Sequence, residues 1–189
     1  MTAALNHFPA PGDWTTDDLD RLPEDGKRRE LIDGVLIVSP SPRTNHQGIV
    51  IRLGAALDAV CPGYLYVTQG VEIRINLRRS LTPDVLVVTA DAARDNPSHY
   101  PPDQVALAVE IVSPGSKKMD RVRKPALYAE AGIRCYWRIE TDPEIVVHAS
   151  ELSPDGAVYQ PVGSFTDVIR LAEPWEIELP VADITPRKP

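Results

Sequence analysis

The sequence predicts one mixed α/β domain in which a layered β-sheet is flanked by helices and extended by β-hairpins. Three patterns predict it. Apolar residues recur at helical spacing over 49–60, alternate with polar ones over 71–76, and run almost unbroken over 105–112. These are the signatures of an amphipathic helix, a half-buried strand, and a strand covered on both faces. A length of 189 residues suits a single core-forming unit.

The elements follow in chain order. In "DWTTDDLDRLPED" threonines precede acidic residues and then helically spaced apolar ones, the pattern of a short capped helix. In "RRELIDGVLIVSP", Asp33-Gly34 separates two strand-like runs, and a type I′ hairpin turn needs positive φ at both centres. The next segment places Ile49, Leu53, Ala56, Leu57 and Val60 on one helical stripe, with Gly63 positioned to end it. In "YLYVTQGVEIRINL", Val71, Ile73 and Ile75 alternate with Glu72, Arg74 and Asn76. Another strand, "PDVLVVTA", opens on Pro83, where a missing N–H is tolerated. Residues 90–104 are polar, proline-rich and without period, and read as a surface loop. "VALAVEIV" is the covered strand, "LYAEAG" closes a helix, "IRCYWRIE" and "EIVVHA" are two more strands, and hairpins follow to residue 180. The expected organisation is a flexible N-terminus over 1–13, one domain over 14–183 and a flexible tail over 184–189.

Composition narrows the function. A 25% share of charged residues beside 43% hydrophobic ones is the usage of a globular chain, not of a disordered one. The start, "MTAALNHFPAPGDW", has no basic leader followed by an apolar stretch, and no run reaches the roughly 18 apolar residues of a membrane span. The expectation is a cytoplasmic protein with no membrane partner. The two cysteines, Cys61 and Cys135, form no metal-binding or disulfide pattern. A net charge of −7 argues against a general nucleic-acid coat. One local site remains: Lys117, Lys118, Arg121, Arg123 and Lys124 face a single acid, Asp120, and could hold an anion or simply form a solvated helix face.

Chemistry begins with Glu110, an acid inside a covered strand. Burying an ionised carboxylate costs several kcal/mol unless a cation or donors meet it. Either it reaches water at the strand's end, just before Ser113-Pro114, or it holds a metal beside a second carboxylate. Asp84 is the natural second, because its strand would pair close to that of Glu110. Two like charges repel, and a hard dication such as Mg²⁺ resolves the conflict with oxygen ligands from both. Lys124 on a nearby helix could position a water and offset charge developing on a phosphate, or be one more surface lysine.

Pro83-Asp84, Glu110 in "VEIVSP", and then "DRVRKPALYAEAGIRCYW" resemble the PD-(D/E)xK nuclease superfamily, and within it the Uma family of restriction-endonuclease-like proteins. The likeness runs from "RELIDG" to "YWRIE". The short acidic elements are weak alone; the ordered set with "LYAEAG" and "YW" is specific. The resemblance implies a restriction-endonuclease-like fold with a four-stranded mixed sheet between helices, dependence on Mg²⁺ or Mn²⁺, and hydrolysis of a DNA phosphodiester. It makes Asp84 and Glu110 the metal ligands, with the backbone carbonyl of Ile111 as a further one. The superfamily's lysine position falls here on Val112, and the match shifts to Lys124 on the following helix. Pro125 then requires that the helix begin near Arg121 to Lys124, or kink. Glu30 matches an acid that can complete the site and equally fits a solvated hairpin face. His46, on the stripe of Val50 and Leu53, is either a satisfied core histidine or a catalytic group. Glu72 and Arg74 pair with each other or with water. Lys117, Lys118, Arg121 and Arg123 become DNA contacts under this reading, and cutting two strands makes a homodimer an option. Two rivals stay open: a non-catalytic module that keeps the nuclease fold, and a metal-dependent phosphoesterase with a small substrate.

Overall fold

In a computed structural model describing residues 8–187, the chain runs as follows: α1 (Thr16–Leu19), β1 (Arg28–Ile32), β2 (Val35–Ser39), α2 (Thr44–Val60), β3 (Leu65–Thr68), β4 (Glu72–Asn76), β5 (Arg79–Leu81), β6 (Val85–Thr89), α3 (Ala90–Ala93), β7 (His99–Tyr100), β8 (Val105–Ile111), α4 (Lys124–Glu130), β9 (Cys135–Glu140), β10 (Val146–Leu152), β11 (Tyr159–Phe165), β12 (Val168–Leu171), β13 (Ile177–Pro180) and α5 (Val181–Ile184). The central sheet has six strands in the order β11-β10-β9-β8-β6-β3, not the four that the family resemblance implies. It is mixed: β8 and β9 run parallel, and β6 lies antiparallel to β8. A second sheet, β2-β1-β5-β4-β7, and the hairpin β12-β13 complete the β structure.

The six-stranded sheet separates two cores. On one face, Val85, Val87, Leu107, Val109 and Ile111 pack against Ile49, Val50, Leu53 and Leu57 of α2, and β12, β13 and α5 join the same cluster. On the other, Leu86, Val88 and Ala108 meet Leu127 and Tyr128 of α4 and Ile32, Ile73 and Leu81 of the second sheet. Helices thus flank both faces, and the period of two in β6 and β8 assigns alternate side chains to each.

Several local expectations hold for visible reasons. Thr15 caps α1 through a reciprocal box with Asp18. Asp33 and Gly34 both take positive φ and join β1 to β2. Arg74 donates to Glu72 at 3.0 Å. Others change. Helix α2 stops at Val60, with Cys61 already extended because Pro62 follows, so Pro62 rather than Gly63 ends it, and Val60 is exposed. Strand β6 begins at Val85, two residues after Pro83. The loop expected over 90–104 contains α3, β7 and a 3₁₀ turn at Pro102–Gln104. Pro125 is taken into the first turn of α4, after a π-helical turn over Met119–Arg123.

Residues 1–7 and 188–189 of the two ends expected to be flexible lie outside the described residues. Within the described part, Gly12 and Trp14 both donate backbone N–H groups to the carbonyl of Gly34. At the other end the core runs past residue 183, because Ile184 is fully buried. Among the described residues, no helix is long and apolar enough to cross a membrane.

Candidate active site

The site forms where β6 begins and β8 ends. Residues two apart on a strand share a face. Asp84 therefore lies on the side of Leu86, and Glu110 on that of Ala108, both in the core beneath α4. The register sets Val85 against Val109 and Leu86 against Ala108, so the next step brings Asp84 opposite Glu110. Both acids are buried, at 6% and 1% exposure. β1 of the second sheet crosses this end and carries Arg28 and Glu30, two residues apart, on one face.

Each acid is met by donors. The Ile111 N–H donates to Asp84 Oδ2 at 2.8 Å, and His46 Nε2, from the first turn of α2, stands 3.2 Å from the same oxygen. Arg28 Nη1 donates to Asp84 Oδ1 at 2.6 Å. Glu110 Oε1 accepts from Lys124 Nζ at 2.9 Å and from the Tyr128 hydroxyl at 2.7 Å. Glu110 Oε2 faces Arg28 Nη2 at 3.7 Å. Glu30 Oε1 accepts from the Thr82 N–H at 2.9 Å and lies 2.8 Å from Lys124 Nζ. Asp120 completes the group, with Oδ1 4.0 Å from Lys124 Nζ.

The structure thus brings together Glu30, His46, Asp84, Glu110 and Lys124. Ile111 meets Asp84 through its amide N–H. Lys124 is buried between two acids, so its charge is felt at the site through them. Its placement depends on the π-helical turn, a feature common at functional sites. The Tyr136 hydroxyl supports that turn by donating to the Asp120 carbonyl at 2.7 Å. The basic cluster divides. Arg121 forks onto Glu140 at 2.8 and 2.9 Å, Arg123 pairs with Asp33, and Lys117 and Lys118 are exposed.

Sequence reasoning missed Arg28, Thr82, Asp120 and Tyr128. Arg28 had a signal, its i−2 spacing from Glu30 on a strand. Tyr128 had another, its i+4 spacing from Lys124 on a helix.

Four buried carboxylates, Glu30, Asp84, Glu110 and Asp120, face the two cations Arg28 and Lys124, so acids outnumber these cations by two. Their protonation reflects this. Burial raises the Asp84 carboxyl, but His46, Arg28 and the Ile111 N–H outweigh it and hold the group well below the usual carboxylate range. Burial pushes Glu110 up to about 8, against the pull of Lys124. Asp120 is also raised, chiefly by burial. Burial pulls the Lys124 ammonium down, yet Glu110 and Glu30 together carry it above the ordinary lysine range.

A family model described as "Uma2: Putative restriction endonuclease" matches residues 16–182. The chain belongs to the Uma2 family. The Uma2 match spans α1 to the start of α5 and includes every residue of the site. No curated protein matches the chain. Among solved structures it is similar to a "putative nuclease belonging to DUF820" from Anabaena variabilis, at 18% identity over 90% of this chain and 96% of that one, with a TM-score of 0.71. At that identity the likeness is one of fold, a nuclease-like fold shared with the Uma2 chain.

A divalent metal, the group such folds use, can be tested against the donor set. The three acids around Arg28 offer only hard oxygen donors, as Mg²⁺ or Mn²⁺ prefers. Among the described residues no group of three or more His, Cys, Asp and Glu side chains forms a ready metal cage. The Arg28 guanidinium stands among these acids, 2.6 Å from Asp84, 3.7 Å from Glu110 and 3.8 Å from Glu30. In charge and donor type the residues fit a dication.

Proposed function

We propose that this Uma2 protein is a Mg²⁺- or Mn²⁺-dependent endonuclease that hydrolyses DNA phosphodiester bonds. One observation carries the reading: four buried carboxylates, two at the ends of paired strands and one each from β1 and the π-helical turn, outnumber Arg28 and Lys124 by two. Such an excess is costly; the raised Glu110 carboxyl reflects that cost, and a dication would relieve it. Asp84 and Glu110 would hold the metal, with the Ile111 carbonyl and Glu30 completing its surroundings. A bound dication lowers the pKa of a coordinated water and stabilises charge on phosphoryl oxygens.

The chain's own residues set the geometry for that chemistry. His46 and the Ile111 N–H fix Asp84 Oδ2, while Lys124 and Tyr128 fix Glu110 Oε1, so each carboxylate presents its second oxygen to the site. A water oxygen attacks phosphorus in line and gives up a proton to solvent, the ester P–O bond opposite it breaks, and the departing oxygen takes up a proton from solvent. Lys124 keeps positive charge beside the acids throughout. Lys117 and Lys118 would contact neighbouring phosphates, and Arg121 and Arg123 would join them by exchanging their surface partners.

The test is nicking of supercoiled plasmid in Mg²⁺ or Mn²⁺. Asp84→Asn and Glu110→Gln should each lower the rate by at least about 10²-fold with far-UV circular dichroism unchanged. Variants that cut as fast as the parent would overturn the assignment. Turnover of a small phosphodiester without any cutting of DNA would move the protein to the phosphoesterases.

A further inference from the structure

The oxygens already claimed in this site single out the ones that are not. Asp84 Oδ2 accepts from Ile111 and adjoins His46, and Glu110 Oε1 accepts from Lys124 and Tyr128. The remaining oxygens are Asp84 Oδ1 and Glu110 Oε2. Arg28 faces both, at 2.6 and 3.7 Å, and its Nη2 also bonds the Thr82 carbonyl. We propose, building on the nuclease reading, that Arg28 is an exchangeable cation. It holds these two oxygens in the metal-free protein, releases them when a divalent cation binds, and then turns its fork to a phosphate of the DNA.

Three features make the exchange feasible. The Arg28 side chain is 32% exposed, whereas Lys124 is 4% exposed, so Arg28 has a route outward and Lys124 does not. Its buried Nε–H has no hydrogen-bond partner, so the side chain is held by its fork alone. A guanidinium also suits both states, because the same planar fork matches a carboxylate pair and a phosphate. An arginine docked for nine-tenths of the time lowers the apparent metal affinity about tenfold.

Calorimetric titration of Mn²⁺ into the full chain tests the proposal, beside cleavage at saturating Mn²⁺. Arg28→Gln should bind Mn²⁺ about tenfold more tightly and yet cut DNA more slowly than the parent. Mn²⁺ affinity unchanged or weakened in a folded Arg28→Gln overturns the exchange while leaving the nuclease reading intact. Tighter binding with undiminished cleavage overturns the phosphate role. Absence of Mn²⁺ binding in the parent as well as the variant defeats the nuclease reading, and this proposal with it. Should Arg28→Gln not fold, the parent gives an independent readout. The Arg28 side-chain NMR signal, assigned by its loss in Arg28→Lys, must shift on adding Mg²⁺, and a signal that stays in place overturns the exchange.

Discussion

Glu110 shows how a single residue can be unfavourable for the fold and necessary for the site. In the unfolded chain its carboxyl loses a proton near 4.5, and in the folded metal-free chain burial delays that loss to about 8. Between these values the folded state binds the extra proton, so this residue makes stability fall as pH rises. Asp84 works the other way, contributing stability above the ordinary aspartate range that is lost on acidification, since its folded carboxyl is held low. Urea denaturation in the presence of EDTA should therefore show a decline between about 4.5 and about 8 that Glu110→Gln reduces. A variant with the parent's slope would mean that Glu110 is ionised throughout. Lys124 alone does not neutralise the cluster, because it is shared by Glu30 and Glu110 at 2.8 and 2.9 Å.

At the scale of elements, the hairpin of β1 and β2 matters because β1 delivers both Arg28 and Glu30. Its turn is constrained twice. Gly34 has φ +78°, and a Cβ there would press on the Gly12 carbonyl and the Arg78 side chain. Gly34→Ala should cost more than about 1 kcal/mol, read by chemical denaturation, and should weaken any activity that depends on β1. This turn was legible in the sequence because Asp-Gly between strand patterns has a local cause. So were the alternation in β4 and the covered strand β8 with its anomalous acid. Arg28 was legible only as a neighbour of Glu30 on one strand face, since its role arises when β1 crosses the ends of β6 and β8, a meeting that no local period encodes. The π-helical turn before Lys124 was hidden for a related reason. Tertiary contacts such as Tyr136 to the Asp120 carbonyl support it, and Pro125 only signalled that something had to yield. The short elements within 90–104 are too brief to carry a period.

Across the whole molecule, the central sheet separates two cores, and the site draws on both sides: His46 from the α2 side, and Lys124, Glu30 and Arg28 from the other. The two acids were legible as a pair because a sheet fixes register, whereas their two cations come from separate segments, Arg28 from β1 and Lys124 from α4. Net charge also acts at this scale. At −7, few phosphate contacts are expected from the surface as a whole, and Lys117 and Lys118 are the exposed members of the basic cluster without an ion pair among the described residues. Under the proposed function, log affinity for duplex DNA should fall with log salt by about 0.9 per neutralised phosphate. Replacing both lysines by alanine should reduce that slope by about 2, as fluorescence anisotropy at several salt concentrations would reveal. An unchanged slope would place the DNA elsewhere on the surface. The strap formed by Gly12 and Trp14 on Gly34 has a practical corollary. Anyone shortening this protein for crystallisation should cut ahead of residue 10, because trimming to the first helix would unfasten the hairpin whose first strand bears Arg28 and Glu30.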